Sequence, residues 1–216
     1  MDVAIPPCGL YAITDRRLIP PGTLIEQVSL AIDGGAVLIQ YREKDLPREE
    51  RGRVAQALAR LCRERDVPLI INDDIELAAA CGAAGVHLGR DDAPVSRARR
   101  RLGRGAIIGV SCYDRLERAR AAAGMDASYV AFGRFFPSNT KPEAVPARPA
   151  LLAQARREIK LPIVAIGGIT PENGAGLLHA GADLLAVIHG VFGQPDIRAA
   201  AQAYARLFDA RRERHP

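Results

Sequence analysis

The chain has 216 residues, 48% of them hydrophobic and 5% aromatic with no Trp, and a formal net charge of +5. This composition supplies a core of branched aliphatics, and the length is near the lower limit for a (β/α)8 barrel, so a single domain over residues 1–216 is expected. Basic residues scattered over segments 97–104, 115–120 and 206–214 without interleaved aromatics speak against nucleic acid, and the lack of a bilayer-length apolar run or a signal-like N-terminus speaks against membrane insertion and export.

Eight short apolar runs follow one another at helix-sized intervals. They are GLYAITD (9–15), VLIQYREK (37–44), PLIIND (68–73), GVHLGRDD (85–92), AIIGVSC (106–112), YVAFGRFF (129–136), PIVAIGG (162–168) and LLAVIHG (184–190). Continuous Val, Ile, Leu and Ala suit strands buried on both faces of a parallel sheet. Eight of them predict an α/β fold, a single (β/α)8 TIM barrel, with strands near 9–15, 37–42, 68–73, 85–89, 106–112, 129–135, 162–168 and 184–189.

Helix signals fill the intervals in order. Thr23 precedes LIEQVSLAI, which Gly34 and Gly35 end; Pro47 opens a long segment with Val54, Leu58, Leu61 and Cys62 on one face. Asp74, Pro94, Asp114, Pro149 and Pro171 each precede another helical pattern, and residues 196–212 form the last. Two connections stand out. Segment 137–148 carries three prolines and reads as a binding loop, and HGVFGQPD (189–196) reads as a short extra helix of the kind that meets phosphate after strand eight.

Barrel chemistry gathers at the C-terminal ends of strands, and this chain places its charged and polar residues there. Gln40, Arg42 and Lys44 alternate at the end of strand two, so they share one side of the sheet and form an anion clamp. Lys141, on the proline-rich loop, adds a third cation. Asp73 and Asp92 end strands three and four, and two carboxylates among oxygen donors suit Mg²⁺. Alternation alone leaves Asp74 and Asp91 as competitors for those places.

Ser111 ends strand five as a hydrogen-bonding hydroxyl, with no His or Asp arranged for a nucleophilic triad. Gly167 and Gly168 offer backbone amides, His189 ends strand eight at the phosphate region, and His87 reads as a satisfied core histidine. The four cysteines, Cys8, Cys62, Cys81 and Cys112, lack metal-site spacing and read as reduced thiols of a cytoplasmic protein.

Taken in order, YAITD, QYREK, Asn72-Asp73, HLGRDD, GVSCYD, FGRFFPSNTKP and AIGGIT resemble the thiamine phosphate synthase family, over nearly the whole chain. The resemblance implies a cytoplasmic transferase on the same barrel. It would join 4-amino-2-methyl-5-(diphosphooxymethyl)pyrimidine to a thiazole phosphate, carboxylated or not, with Mg²⁺ and release of pyrophosphate.

Carried over by motif, Gln40, Tyr41, Arg42, Glu43, Lys44 and Asn72 would bind the pyrimidine diphosphate, with Ser111 and Lys141 completing that site and Arg42, Lys44, Ser111 and Lys141 serving the chemistry. Asp73 and Asp92 would hold Mg²⁺. Ser138, Asn139, Thr140, Gly168, Ile188 and His189 would meet the thiazole phosphate. Tyr113 stands where many members have His, Ser138 where Thr is frequent and His189 where many have Ser, which leaves the side-chain role of His189 open. A thiazole tautomerase-like isomerase and a catalytically inactive ligand-binding barrel are the alternatives. Small-molecule substrates are the expected partners, and the assembly state, homo-oligomer included, stays open.

Overall fold

The computed structural model describes residues 4–137 and 145–212, with side chains to residue 209. Eight strands run β1 (Gly9–Ile13), β2 (Ala36–Tyr41), β3 (Leu69–Asn72), β4 (Gly85–Leu88), β5 (Ile107–Tyr113), β6 (Tyr129–Phe132), β7 (Ile163–Ile166) and β8 (Leu184–Val187). The helices are α1 (Leu24–Asp33), α2 (Arg48–Glu64), α3 (Ile75–Cys81), α4 (Val95–Leu102), α5 (Leu116–Gly124), α6 (Ala150–Glu158), α7 (Pro171–His179), α8 (His189–Phe192) and α9 (Ile197–Arg212). Each strand pairs in parallel with its neighbours in chain order, and β1 pairs with β8, closing the barrel. No described helix is long and apolar enough to cross a membrane.

The expected strands are all present, and most end a residue or more before their apolar runs do. Thr14 N–H still bonds Gln40 O at 3.0 Å beyond β1, yet the ladder has stopped; the run continues into the βα turn because turn residues at a barrel mouth are also half-buried. Strand eight ends at Val187 because the chain turns at Ile188 into α8, the expected short helix. Helix signals fared unevenly. Asp74 caps α3 by accepting from Leu77 N–H at 2.9 Å, and Thr170 with Asn173 forms a capping box ahead of Pro171. Thr23 instead turns its hydroxyl back to Pro20 O at 2.9 Å, and α5 starts after Arg115 without a side-chain cap, so Asp114 does not cap it.

Strand alternation divides the apolar residues into two layers. Outward residues such as Leu10, Ile39, Ile71, Val86, Ile108 and Val130 pack under the helices. Inward residues Tyr11, Ile13, Leu38, Ile70, Ile107, Tyr129, Val164 and Leu184 fill the barrel, so it is a packed core below the mouth and not a pore. Polar anchors fasten the shell to it. Tyr204 of α9 donates its buried hydroxyl to Ile169 O at 2.8 Å. Asp33 of α1 ties Arg65 beyond α2 at 2.6 Å to Arg198 of α9 at 3.0 Å.

The two large inward tyrosines fit because Gly109 faces Tyr129 on the neighbouring strand. A Cβ on Gly109 would lie 2.0 Å from Tyr129 Cζ. Gly109→Ala should therefore lower stability by about 1–3 kcal/mol through overpacking. Gly52, inside α2 with nothing within 4 Å of an added Cβ, should respond oppositely, with Gly52→Ala gaining about 0.5–1 kcal/mol from helix propensity. Denaturant unfolding of the two variants checks both signs.

Candidate active site

The barrel opens at the C-terminal strand ends into a cavity of about 370 Å³. Inward alternation delivers one or two side chains from most strands to its wall, and the walls differ. Strands β2 to β5 present Gln40, Asn72, His87 and Ser111, whereas Ala131, Ile166, Ala186 and Ile188 make the facing wall apolar. The strand positions of one half therefore hydrogen-bond and those of the other pack, while Arg134, Thr170, His189 and Gln194 from the connections bring polar groups to the second half.

The expected clamp is partly assembled. Gln40 is 3% exposed and points inward, and Arg42 lines the cavity with its backbone N–H held by Thr14 Oγ1 at 3.0 Å. Lys44 reaches the rim, its Nζ 3.1 Å from Asp73 Oδ2. Tyr41 and Glu43 alternate to the other side. Tyr41 lies in the core under the helices, its hydroxyl without a hydrogen-bond partner there, and burial pushes its phenol well up. Glu43 Oε1 accepts from Asp45 N–H at 2.8 Å and Leu46 N–H at 3.2 Å, so it shapes the β2–α2 turn. The structure brings neither of these two side chains to the cavity.

The ambiguity between neighbouring aspartates is resolved by their partners. Asp74 is committed to its cap and to Arg51 at 2.9 Å, and Asp91 is exposed. Asp73 adopts φ 64° just past β3, a left-handed conformation that short polar side chains tolerate. Asp92 accepts from Gly89 N–H at 2.6 Å. Burial first, and then the facing Asp73 carboxyl, raise the Asp92 pKa above the ordinary carboxylate value, while Lys44 opposes that rise. A carboxyl whose ionisation is hindered by burial and by a second carboxyl facing it fits a hard dication beside the pair. No cluster of three His, Cys, Asp or Glu groups occurs among the described residues, so the other ligands of such an ion would be water or substrate oxygens, as Mg²⁺ accepts.

Ser111 is a hydrogen-bonding hydroxyl in the cavity wall, with a partner in the strand beside it. Its Oγ sits 2.8 Å from His87 Nε2, because β4 and β5 pair in parallel and both residues face inward. A serine–histidine pair thus exists that the sequence did not mark. The other ring nitrogen, Nδ1, meets Tyr129 OH at 2.9 Å and not a carboxylate, so no triad forms. His87 is satisfied as expected, but it also lines the cavity. Tyr11 continues the network, 2.8 Å from Tyr129 and 2.5 Å from Gln40 Nε2. Neither tyrosine was marked by the sequence; only their inward parity on β1 and β6 hinted at a place near the site.

Two further rim features also escaped the sequence reading. Asp15, past β1, is nearly buried and grips Arg17 at 2.6 and 3.0 Å; that hydrogen bond holds its carboxyl below the usual range. Arg134, after β6, lines the cavity. Tyr113, at φ 56°, is flanked by the guanidinium groups of Arg90 at 4.8 Å and Arg118 at 5.5 Å.

On the apolar side, Gly167 and Gly168 have φ 103° and 62°, and added Cβ atoms would strike Arg134 Cβ at 2.3 Å and Pro137 O at 2.2 Å. Their glycine identity lets the end of β7 press against the backbone after β6. Gly168, Ile188 and His189 all line the cavity. His189 opens α8 with its ring against Gly193. Ser138, Asn139, Thr140 and Lys141 lie outside the described residues.

Comparison with known proteins joins these observations. The family model described as thiamine monophosphate synthase matches residues 10–191. A thiamine-phosphate synthase of Nitrosococcus oceani is 56% identical over 200 residues, covering 93% of this chain and 92% of that one. A thiamine-phosphate synthase of Marinobacter nauticus is 55% identical over 202 residues, 93% of this chain and 90% of the relative. Among solved structures, the thiamine phosphate pyrophosphorylase of Pyrococcus furiosus superposes with a TM-score of 0.84 at 36% identity, covering 94% of this chain and 96% of that one.

Proposed function

The chain belongs to the thiamine monophosphate synthase family, and from that premise we propose that its barrel mouth couples the pyrimidine diphosphate to the thiazole phosphate with release of pyrophosphate. It is a transferase, and its substrates are small phosphorylated molecules. The observation that carries the site assignment is the facing pair Asp73 and Asp92 with Lys44 beside it, next to a hydrogen-bonding wall.

In this reading the pyrimidine diphosphate occupies the polar half. Gln40, Asn72 and Ser111 orient the ring, and Arg42, Lys44 and Lys141 surround the diphosphate. Mg²⁺ held by Asp73 and Asp92 supplies further positive charge to the diphosphate oxygens when bound. The bond between the pyrimidine methylene carbon and the diphosphate oxygen breaks, and its electron pair leaves with pyrophosphate. The thiazole nitrogen then donates its lone pair to that carbon, forming the new C–N bond. No side chain needs to attack, which agrees with a Ser111 whose histidine meets the Tyr129 hydroxyl at its other ring nitrogen. The residues contribute preorganised charge where charge develops.

The thiazole phosphate takes the apolar half, flanked by Gly168, Ile188 and His189, with Ser138, Asn139 and Thr140 from the neighbouring segment. His189 stands in the first turn of α8, where backbone N–H groups lack helical acceptors, so its backbone is the phosphate contact and its ring adds a donor. Four free cysteines, three of them buried, suit a cytoplasmic setting. Neither the isomerase nor the inactive-barrel alternative has an observation in its favour.

The test is pyrophosphate release on mixing both phosphorylated substrates with Mg²⁺. Release should stop with EDTA and return with added Mg²⁺. Asp92→Ala, Lys44→Ala and Lys141→Ala should each lower turnover by about 100-fold or more while circular dichroism stays native. Conversion of the thiazole phosphate without pyrophosphate release would replace this reading with isomerisation.

A further inference from the structure

Beneath the mouth, five side chains form an unbroken hydrogen-bonded chain across the barrel: Gln40, Tyr11, Tyr129, His87 and Ser111. Its ends line the cavity on opposite sides of the polar wall, from β2 and β5. Its middle is buried, with Tyr11 1% and Tyr129 0% exposed. The donor inventory of these groups permits few arrangements of the hydrogens. An amide nitrogen only donates, a phenol has a single hydrogen, and a neutral imidazole has one donor and one acceptor nitrogen.

Gln40 Nε2 faces Tyr11, so the Tyr11 oxygen accepts there and the one Tyr11 hydrogen goes to Tyr129. Tyr129 has then spent an acceptor position on Tyr11, and its hydrogen goes to His87 Nδ1. That nitrogen is bare, so the imidazole hydrogen sits on Nε2 and is donated to Ser111 Oγ. The Ser111 hydrogen is left for the cavity. We infer that the chain runs in this single direction, from Gln40 to Ser111, and that Tyr11, Tyr129 and His87 are positioning residues presenting the Ser111 hydroxyl as a donor to the ligand.

Two observations sustain the direction. Burial is the largest influence on both phenols and pushes both well up, so each keeps its hydrogen, and a phenol this buried that accepted from both neighbours would leave that hydrogen without an acceptor. Gly109 leaves the space that Tyr129 occupies, which makes the phenol part of the barrel's packing and leaves its hydroxyl little freedom to turn away. The opposite direction, with the Gln40 amide turned over and its oxygen accepting from Tyr11, would reverse every bond and put the imidazole hydrogen on Nδ1. Ser111 would then donate to His87 and show only lone pairs to the ligand. The two directions thus demand opposite ligand atoms, an acceptor or a donor, at the same place.

The role for catalysis rests on the reading that Ser111 meets the pyrimidine substrate, but the direction itself does not. It is read by two-bond proton–nitrogen correlation on the full chain labelled with ¹⁵N-histidine, without substrates, with His87 assigned by the loss of its signals in His87→Gln. The expected result is a single tautomer protonated at Nε2. Protonation at Nδ1, alone or together with Nε2, overturns the inference. Gln40→Met removes the donor at the origin at similar volume and should convert the single tautomer to a mixture; an unchanged spectrum shows the direction is not set from Gln40 and also overturns it.

The activity arm is a double-mutant cycle. Tyr129→Phe and Ser111→Ala should each lower kcat by about tenfold, and Tyr129→Phe on the Ser111→Ala background should add less than about twofold. Full additivity means Tyr129 does not act through Ser111. Should Tyr129→Phe fail to fold, the wild-type and Gln40→Met spectra decide. A failed pyrophosphate assay leaves the tautomer result standing, and a wrong tautomer leaves the coupling reaction standing.

Discussion

A closed eight-stranded barrel admits only every second side chain of each strand to its interior, and the rest of this structure follows from that restriction. With strands of four to seven residues, each contributes two or three inward positions. The lower ones must fill space, and Leu38, Ile70, Ile107 and Leu184 do so. The upper ones face the mouth and are free to carry chemistry. Tyr11 and Tyr129 belong to both groups, since their rings pack in the core while their hydroxyls reach upward to Gln40 and His87. Aromatic bodies with polar ends are suited to such a boundary.

The same restriction separates two binding environments within one rim. Consecutive strands are neighbours in space, so a block of sequence becomes a sector of the mouth. The block from β2 to β5 lines the cavity with amides, a hydroxyl and an imidazole and holds the facing Asp73 and Asp92 carboxyls; the strands β6 to β8 bring Ala131, Ile166 and Ala186, with Arg134 and His189 just beyond them. In the proposed reading the diphosphate-bearing molecule lies in the first sector and the thiazole phosphate in the second, side by side. On the polar side burial, and after it the facing Asp73 carboxyl, raise the Asp92 pKa, and one ammonium opposes the rise. In the proposed reaction a cation would complete such an arrangement, and pyrophosphate departure would call for one.

Much of this was legible along the chain. The eight apolar runs announced the strands, and the residues ending them announced the rim. What the runs did not mark was where each ladder stops, because the turn residues at the mouth are half-buried too and keep the apolar pattern going. Asp73 against Asp74 was undecidable for a related reason. Asp73 takes a left-handed conformation, which breaks the simple alternation on which the choice depended, while Asp74 turns away to cap α3. Tyr41 and Glu43 show the converse: parity alone sends them away from Gln40, Arg42 and Lys44, and the structure agrees.

By itself the sequence determined the strand and helix order, the parallel barrel and several of the rim groups, Gln40, Asn72 and Ser111 among them, since these depend on local periodicity and on motifs read within a few residues. The tertiary structure alone decided the pairings. Ser111 with His87, His87 with Tyr129, and Tyr129 with Tyr11 join residues 24, 42 and 118 positions apart. Their meeting depends on strand register, on barrel closure that sets β1 and β6 face to face across the interior, and on Gly109 leaving room for a phenol. Register and closure are properties of the whole sheet, and no local stretch of chain contains them.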